Sequence, residues 1–358
     1  MLAELLTPDC IWNSFRSSHK KHLILTGGRK TGKTTLLTKL FCKQMSGVTT
    51  WAVPKECVFI RENKTDLMER VGIYDSTCGG KENKMRLCSE GFLGVGISAL
   101  RSCMYSEEEW ITVDEIGYLE TECHEYCETL LQLMEKKRVA AVVRKQEIPF
   151  LQSLCARDDV FLIDLDEPFG NFGCVLMASG LGKRFGSNKL MADFNGKPMI
   201  ERALAATDHF FPLRIVVTRS EEVAAYCKKR EVRVIFHEFP NRNDTVRLGL
   251  LAMAETEGCL FCPGDQPLLS SETIASIALA AKNGKNRIFR PIHGENEGAP
   301  VLFPKSVYAE LLNLPEGKGG GTVIKKHPEM LCRINVNNPY ELMDADTPEQ
   351  LAFLLSKS

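Results

Sequence analysis

Apolar runs and helical segments alternate along the whole chain. In the first half, the runs HLILTGG, WITVDEIG, RVAAVV and FLIDLD are accompanied by a helix from Lys33 and a second helix over 122–137. In the second half, GCVLMASG, LRIVVTRS, VRVIFHE, GCLFCPGD, NRIFRPIH and LCRINV alternate with helical segments such as SEEVAAYCKK and SSETIASIALAAK. Because buried strands that alternate with helices form parallel sheets, the pattern predicts an α/β fold in both halves.

The two halves meet at the segment EPFGNFG, residues 167–173. There a proline and two glycines follow a strand that ends in acidic residues, and a new apolar strand begins. Such punctuation is typical of a domain boundary. A chain of 358 residues also exceeds the size at which one hydrophobic core keeps growing. We therefore expect two domains, 1–168 and 169–358.

Composition and charge restrict the class of ligand. Hydrophobic residues make up 44% of the chain and charged residues 25%, values that argue against disorder and membrane residence. The net charge of −1 gives no overall attraction to nucleic acid or anionic lipid, so we expect neither partner. No run reaches the roughly 18 apolar residues of a spanning helix, and MLAELLTPDC lacks the pattern of a signal peptide. We expect a cytoplasmic protein that binds small phosphorylated molecules.

The fourteen cysteines of so long a chain do not indicate a disulfide framework, and we expect reduced thiols. Cys123 and Cys127 lie four apart on a predicted helix, and Cys259 and Cys262 form a C-x-x-C within an apolar strand. Strand geometry sends positions three apart to opposite faces, and no second pair completes a tetrahedral set. Buried small apolar residues are therefore the favoured interpretation.

Residues 27–34, GGRKTGKT, satisfy the pattern G-x-x-x-x-G-K-S/T between an apolar strand and a helix. Backbone N–H groups of such a loop close around the β-phosphate of a nucleotide. Lys33 would then reach the β- and γ-phosphates, and the Thr34 hydroxyl would ligate Mg²⁺. The predicted nucleotide-binding residues are Gly27, Gly28, Arg29, Lys30, Thr31, Gly32, Lys33, Thr34 and Thr35.

The strand WITV runs directly into Asp114 and Glu115. Asp114 would hold Mg²⁺ through water, and Glu115 would orient or deprotonate the water that attacks the γ-phosphate. An acidic strand end is common in proteins that bind nothing, but the phosphate loop upstream favours the functional interpretation.

With these motifs the first half resembles the small nucleoside-triphosphatase family first known from thermophiles. The matching segments are GGRKTGKTTL, GFLGVGISAL, VDEIGYLE and VVRKQEIPFLQSLCARDDVFLIDLD. The resemblance implies hydrolysis of ATP or GTP with loose base preference, and it matches Lys33, Thr34, Asp114 and Glu115 to family positions. It leaves the purpose of the hydrolysis open.

A second glycine-rich loop, residues 178–189, follows the strand CVLM and reads ASGLGKRFGSNK. Its glycines let the backbone approach a triphosphate, and Arg184 and Lys189 could balance the charge that builds up during transfer at the α-phosphate. A flexible basic loop is the alternative for this segment alone.

Two acidic segments accompany this loop. The strand LFCP delivers Asp265 to its carboxyl end, where α/β sheets place ligands, and Asp344 and Asp346 precede the last helix. A cation that bridges triphosphate oxygens commonly takes one or two carboxylates, so these aspartates are candidate Mg²⁺ ligands. Thr347 and Pro348 also read as a helix start, which leaves the two aspartates unexplained.

These residues resemble the NTP-transferase family that attaches CMP or GMP to molybdopterin, and more closely its cytidylyltransferase branch. The matching segments are MASGLGKRFGSNKLMADFNGKPMI, NDTVRLGL, CPGDQPLLSSETI, GAPVLFPKSVYAELLNL and DADTPEQL. The resemblance implies a Rossmann-like, glycosyltransferase-A-like domain with Mg²⁺ on Asp265 and on either Asp344 or Asp346. The implied nucleotide-binding residues are Ala178, Ser179, Gly180, Gly182, Arg184, Lys189 and Gly264.

Ala178-Ser179 fits the CTP-preferring form of the loop better than the GTP form. Departures from the family pattern lie on what should be the acceptor side. Ala299 stands where the family usually has asparagine or histidine before Pro300, and Thr245 takes the place of a usual serine. The run Gly317–Gly321 replaces a segment that normally carries an aspartate and an arginine. A different phosphorylated acceptor would be compatible with these changes.

Together the resemblances imply a bifunctional nucleotide enzyme. The second domain would transfer CMP from CTP to molybdopterin and release pyrophosphate, the first would hydrolyse NTP, and an apo-molybdenum hydroxylase would be a client. The alternatives are a sugar- or polyol-phosphate nucleotidyltransferase, and a P-loop cofactor-delivery chaperone whose transferase-like domain binds cofactor without turnover. The predicted catalytic residues are Lys33, Glu115, Arg184, Lys189 and Asp265.

Overall fold

A computed structural model of the chain describes residues 5–41, 44–77, 84–180 and 185–358. Contacts divide these residues into two units, 19–168 and a second unit that joins 5–18 to 169–358. The first helix of the chain, α1 (Pro8–Ser18), therefore lies in the second unit. The sequence analysis had placed residues 1–18 in the first domain, and the packing of α1 described below corrects that assignment.

Within the described residues, the first unit is built on an eight-stranded sheet whose strands lie in the order β5-β4-β3-β2-β6-β7-β1-β8. Its strands are β1 (His22–Thr26), β2 (Gly47–Val53), β3 (Cys57–Glu62), β4 (Met68–Tyr74), β5 (Met85–Leu87), β6 (Trp110–Ile116), β7 (Arg138–Val143) and β8 (Val160–Asp164). Strands β2, β6, β7, β1 and β8 run parallel. Strands β2 to β5 form an antiparallel meander.

The helices of the first unit connect and cover these strands. They are α2 (Lys33–Leu40), α3 (Ser89–Gly91), α4 (Ile97–Cys103), α5 (Tyr118–Glu122), α6 (His124–Lys136) and α7 (Pro149–Cys155), with a π-helical turn at Phe92–Gly96. The helix expected over 122–137 thus begins at His124, because Cys123 takes a non-helical conformation between α5 and α6. Phe92 and Tyr126 meet in the core with ring centroids 4.9 Å apart.

The antiparallel meander is a feature that the sequence analysis did not predict. One face of β2 and β3 is buried through Val48, Val58 and Ile60. On the opposite face, Trp51 and Phe59 stack at 5.6 Å. Alternation of this kind is typical of an antiparallel sheet with one face in the core, whereas a central parallel strand is buried on both faces. All five positions of β1 are buried, which is the second pattern.

Among the described residues, the second unit has a larger sheet with the path β13-β12-β9-β14-β17-β15-β16, and β18 pairs with β15. Its strands are β9 (Phe172–Ala178), β12 (Leu213–Thr218), β13 (Arg233–Phe236), β14 (Gly258–Pro263), β15 (Ile288–His293), β16 (Asn296–Glu297), β17 (Val301–Pro304) and β18 (Leu331–Asn335), while β10 (Asp193–Phe194) and β11 (Lys197–Pro198) form a separate hairpin. Strands β13, β12, β9 and β14 are parallel. Strand order reverses at β9, and open α/β sheets bind ligands at the carboxyl ends of strands beside such a point.

The helices of the second unit are α8 (Ile200–Ala206), α9 (Glu221–Lys228), α10 (Arg242–Leu251), α11 (Ser271–Asn283), α12 (Tyr308–Leu312), α13 (Gly321–Lys326) and α14 (Pro348–Leu355). Short 3₁₀ turns occupy Lys189–Met191, Lys305–Val307, Pro328–Met330 and Pro339–Leu342.

Helix α1 packs against α11 and completes the second unit. Its buried face carries Cys10, Ile11, Ser14 and Phe15. The Ser14 hydroxyl donates a hydrogen bond of 2.9 Å to the carbonyl of Ser276 on α11. The second unit is therefore made from two separate segments of chain, and the first unit is inserted between them.

The two cysteine pairs are buried. Burial raises the pKa of Cys127 to about 12 and raises the pKa values of Cys259 and Cys262 as well. These thiols are protonated at neutral pH and behave as small apolar residues, in line with the favoured interpretation. Across the described ranges no helix is long and apolar enough to cross a membrane.

Candidate nucleotide sites

The first candidate site is the loop between β1 and α2. Gly27 and Gly32 have φ values of 140° and 91°, which side chains rarely adopt, so glycine lets the chain turn tightly here. The Lys33 ammonium donates to the carbonyls of Gly27 at 3.0 Å and Gly28 at 2.6 Å. The Lys33 side chain is thus hydrogen-bonded to the backbone of its own loop. Arg29, Lys30 and Thr35 are exposed.

Thr34 and Asp114 meet at the start of α2. The Thr34 hydroxyl donates to Asp114 Oδ1 at 3.3 Å. Asp114 is 7% exposed, and burial raises the pKa of its carboxyl group to about 6. A hydroxyl and a carboxylate on neighbouring elements supply the hard oxygen ligands that Mg²⁺ prefers.

Glu115 lies beside Arg144, a residue that the sequence analysis did not single out. Arg144 Nε is 2.9 Å from Glu115 Oε1, and Arg144 Nη2 donates to Oε2 at 3.2 Å. Both oxygens of the Glu115 carboxylate are therefore engaged by one guanidinium. The signal in the sequence is a basic residue immediately after the strand RVAAVV.

Asp164 and Asp166, which lie just before the predicted domain boundary, form a second acidic pair near the phosphate loop. The Asp166 carboxylate accepts the Gly28 backbone N–H at 3.0 Å. Lys145 bridges Asp164 at 2.8 Å and Asp166 at 3.1 Å. The segment after β8 is therefore hydrogen-bonded to the phosphate loop at Gly28.

The second candidate site begins where β9 ends. The Ser179 hydroxyl donates to the Val217 carbonyl at 3.1 Å and lies 2.8 Å from Nε2 of His237. Arg219 donates to the Ser179 carbonyl through Nε at 2.9 Å and Nη2 at 2.7 Å. Gly180 follows, and an added Cβ there would have none of the described atoms beyond its chain neighbours within 4 Å. Gly182 and Arg184 lie outside the described residues.

Lys189, Asp265 and Asp346 form a buried ion cluster at the carboxyl end of β14. The Lys189 ammonium lies 2.5 Å from Asp265 Oδ2 and 2.8 Å from Asp346 Oδ1, and the residue is 7% exposed. Burial favours the neutral amine, but the two carboxylates outweigh it and raise the pKa of Lys189. The Ala345 N–H donates to the Asp265 carbonyl at 2.9 Å, which holds the late acidic segment against the β14 end.

Asp344 lies on the other side of this cluster. Its Oδ1 accepts the Gln266 side-chain amide at 3.0 Å. Partial desolvation and then the charges of Asp265 and Asp346 raise its pKa. Across the described residues, no three His, Cys, Asp or Glu side chains form a ready metal cage.

Thr347 and Pro348 start α14, as the alternative interpretation of that segment required. The Thr347 hydroxyl accepts the Gln350 N–H at 3.3 Å, and Pro348 occupies the first turn. Capping and the acidic cluster therefore coexist in adjacent residues. Gly264 packs closely on Ile200, where an added Cβ would lie 2.7 Å from Cδ1.

The glycine run on the acceptor side is fixed at two points. The Gly317 N–H donates to Asn243 at 3.1 Å. An added Cβ on Gly320 would lie 2.6 Å from the Phe303 ring, so that position needs glycine for close packing. Thr245 is buried at 4% exposure. The run therefore contacts α10 through Gly317 and packs on β17 through Gly320.

Two known families match the chain. The family described as "NTPase" matches residues 22–168, and the family described as "MobA-like NTP transferase domain" matches residues 174–330. The chain carries an NTPase domain followed by a MobA-like NTP transferase domain. The two expected resemblances, the α/β fold of both halves and the expected class of nucleotidyltransferase with an NTPase domain are thereby confirmed.

Several named proteins are similar to parts of the chain. The probable molybdenum cofactor guanylyltransferase of Natranaerobius thermophilus is 27% identical over 143 residues, which is 38% of this chain and 69% of that protein. The molybdenum cofactor cytidylyltransferase of Escherichia coli is 22% identical over 184 residues, 49% of this chain and 91% of that protein. Nucleoside-triphosphatase THEP1 of Thermotoga petrophila is 26% identical over 161 residues, which is 40% of this chain and 84% of that protein. Each alignment spans less than half of this chain.

Proposed function

We propose that the transferase domain transfers CMP from CTP to molybdopterin with release of pyrophosphate, and that the NTPase domain hydrolyses ATP or GTP. The observation that carries the first part is the cluster of Lys189 with Asp265 and Asp346 at the carboxyl end of β14. One cation and two carboxylates at that position are what a magnesium-dependent transfer at a triphosphate requires.

Mg²⁺ is the cofactor that the oxygen ligands of both sites fit. In the NTPase domain, Thr34 and Asp114 would hold it, and in the transferase domain, Asp265 with Asp346 or Asp344. When bound, Mg²⁺ would offset negative charge on the phosphate oxygens. Lys189 would then contact the triphosphate instead of its carboxylates.

In the proposed transfer, a phosphate oxygen of molybdopterin forms a bond to the α-phosphorus of CTP. The bond from that phosphorus to the bridging oxygen breaks, and pyrophosphate leaves with the electron pair. A phosphate monoester is already ionised near neutral pH, so no protein nucleophile is needed. Lys189 and Arg184 would stabilise the charge on the triphosphate as the bond breaks.

In the proposed hydrolysis, water attacks the γ-phosphorus while Lys33 holds the β- and γ-phosphates. The bond to the β,γ-bridging oxygen breaks, and the nucleoside diphosphate leaves with the electron pair. Glu115 accepts a proton from the water. The backbone N–H groups of Gly27 to Thr35 complete the binding site.

Two features support the choice of base and acceptor, and a third restricts the role assigned to Ser179. The relatives named as molybdenum cofactor guanylyltransferase and cytidylyltransferase support molybdopterin as acceptor. Ala178-Ser179 supports CTP over GTP. The Ser179 hydroxyl is directed to Val217 and His237, which supports a role in loop shape rather than direct base contact.

The decisive experiment is product identification. The protein is incubated with molybdopterin, Mg²⁺ and either CTP or GTP, and the product is identified by mass. The cytidylyl product with CTP is the expected result. Release of pyrophosphate with GTP alone would overturn the choice of base, and absence of product with either nucleotide would overturn the acceptor.

A sugar- or polyol-phosphate acceptor is the second candidate, and the run Gly317–Gly321 supports it because there the chain departs from the pattern of the molybdopterin family. A pyrophosphate-release assay with a panel of phosphorylated acceptors separates the two. The third candidate is a delivery chaperone for an apo-molybdenum hydroxylase. Asp265→Asn should abolish turnover if the domain is an enzyme and spare client activation if it is a chaperone.

Pyrophosphate release makes the transfer favourable without further energy, so the hydrolysis in the NTPase domain serves another step. We propose that it gates delivery of the finished cofactor to an apo-molybdenum hydroxylase in the cytoplasm. NTP consumption that is unchanged by acceptor and client protein would count against this role.

A further inference from the structure

Arg144 is placed by the sheet between the two halves of the NTPase site. In the strand order β6-β7-β1, β7 separates the strand that carries Glu115 from the strand that leads into the phosphate loop. Arg144 directly follows β7, at the same carboxyl edge. Its backbone N–H donates to the Ile116 carbonyl at 2.9 Å, which fixes the residue next to β6.

The turn after β6 is shaped around the Arg144 side chain. A Cβ added to Gly117 would lie 2.8 Å from Arg144 Cδ, so the side chain crosses a position that only glycine leaves open. The same glycine donates its N–H to the buried carboxyl group of Glu120 at 2.8 Å. The backbone at Gly117 is therefore hydrogen-bonded to Glu120 and lies against the Arg144 side chain.

The ion pair with Glu115 uses one edge of the guanidinium. A guanidinium carries five N–H donors in a fixed plane, and the side-on pair through Nε and Nη2 engages two of them. No described residue accepts a hydrogen bond from the Nη1 edge. The Arg144 side chain is 35% exposed, so part of it is accessible to a ligand.

We propose that Arg144 is a catalytic residue of NTP hydrolysis that holds Glu115 through one edge and takes γ-phosphate oxygens through the other. An arginine so placed supplies within the same chain the cation that stabilises the transition state of phosphoryl transfer. It also keeps both Glu115 oxygens in a fixed plane. The inference rests on the proposed hydrolysis at Lys33 and Glu115.

The test measures binding as well as turnover in the full chain. Affinity for a nucleoside diphosphate with Mg²⁺ is compared with and without aluminium fluoride, which mimics the transferring phosphoryl group. Arg144→Met should lower kcat by about 10³-fold, in the range of a missing arginine of this kind. It should abolish the gain in affinity from aluminium fluoride and leave affinity for the diphosphate alone within about twofold, because the phosphate loop binds that ligand in the ground state. Arg144→Lys should recover part of the loss.

Arg138→Met is the matched control. Arg138 begins the same strand and pairs with Glu109 at 3.2 Å, but at the opposite end of β7. This variant should leave both kcat and the aluminium fluoride effect unchanged.

Three results would overturn the proposal. One is a full aluminium fluoride effect in Arg144→Met. Another is a loss of affinity for the diphosphate alone that is as large as the loss measured with aluminium fluoride, which would indicate a structural role. The third is no added effect of Arg144→Met in a Glu115→Gln background, which would mean that Arg144 acts through Glu115 alone. Failure of the proposed hydrolysis itself is distinguishable, because wild-type protein would then show no NTP turnover that Lys33→Ala removes.

Discussion

The two lysines proposed for the two nucleotide sites are held in opposite ways. Lys33 donates to carbonyl groups six and five residues before it in the chain. Lys189 is held by carboxylates 76 and 157 residues away. The first site is a local structure formed by one loop, whereas the second exists when three distant segments meet.

The acids differ in the same way. In the NTPase domain, Asp114 faces Thr34 and Glu115 faces Arg144, so cation, metal ligand and base each have a separate partner. In the transferase domain, one cation is paired with both candidate metal ligands. We infer that Mg²⁺ and NTP must break ion pairs of Lys189 to bind at the transferase site, whereas at the NTPase site they replace hydrogen bonds of Lys33 to backbone carbonyls and of Thr34 to Asp114.

The largest effect should come from removing one charge in each site in turn. Asp265→Asn should lower nucleotidyl transfer by about 10³-fold, because the proposed metal loses a carboxylate and Lys189 loses a partner. NTP hydrolysis should be unchanged. Lys33→Ala should give the reverse result, and both rates are measured on each variant. Loss of both activities in either variant would contradict two independent sites.

The next largest effect is on the pH dependence of the folding stability of the NTPase domain, through Glu120. Glu120 is 3% exposed, and burial raises the pKa of its carboxyl group from 4.5 to about 7. The fold therefore favours the protonated acid, and a penalty develops as pH rises from about 4.5 through about 7. Glu120→Gln mimics the protonated form and should stabilise the domain by about 3 kcal/mol at pH 8, with the gain vanishing towards pH 4.5.

Urea unfolding in a Trp12→Phe background checks this prediction, since the remaining tryptophans, Trp51 and Trp110, lie in the NTPase domain. Glu122→Gln is the exposed neighbour and should show no such trend. A constant difference between Glu120→Gln and wild type at every pH would refute the assignment.

A smaller effect separates the two late aspartates. Asp346 contacts Lys189, whereas Asp344 contacts the neutral Gln266 amide. Asp346→Asn should therefore reduce kcat/KM for transfer about tenfold more than Asp344→Asn, since hydrogen bonds to charged groups contribute more than neutral ones. Steady-state kinetics at saturating Mg²⁺ provide the comparison. Equal effects would mean that Lys189 does not distinguish the two carboxylates.

The smallest effect tests whether α1 belongs to the transferase domain. Ser14 is fully buried and links α1 to the Ser276 carbonyl, so Ser14→Ala should destabilise that domain by about 1 kcal/mol. Ser17 donates to Ser14 of the same helix at 2.8 Å and is the matched control, with little change expected for Ser17→Ala. Calorimetry on the full chain resolves the transitions. A shift confined to the NTPase transition would contradict the packing.

The contrast explains which site residues the sequence could indicate. Gly27 to Thr34 are contiguous, so their spacing alone predicts a phosphate loop. Asp265 and Asp346 could be named from short motifs, but their shared contact with Lys189 could not, because no periodicity relates residues so far apart. Arg144 was missed for the same reason: its role depends on β7 lying beside β6.

The fold divides along the same line. Continuous apolar runs such as β1 and β9 predict central parallel strands, because both faces of such strands are buried. The meander of β2 to β5 carries weaker alternation, and its pairing is set by neighbouring strands rather than by its own pattern.

By itself the sequence determined the α/β class of both halves, and it predicted a phosphate loop at Lys33 and the acids proposed for each nucleotide site. Tertiary structure decided that α1 joins the transferase domain, that Lys189 lies between two aspartates and that Arg144 engages Glu115. The physical reason is range: backbone conformation and burial period are encoded by near neighbours, whereas ion pairs and helix docking depend on which distant segments the folded chain brings within a few ångströms.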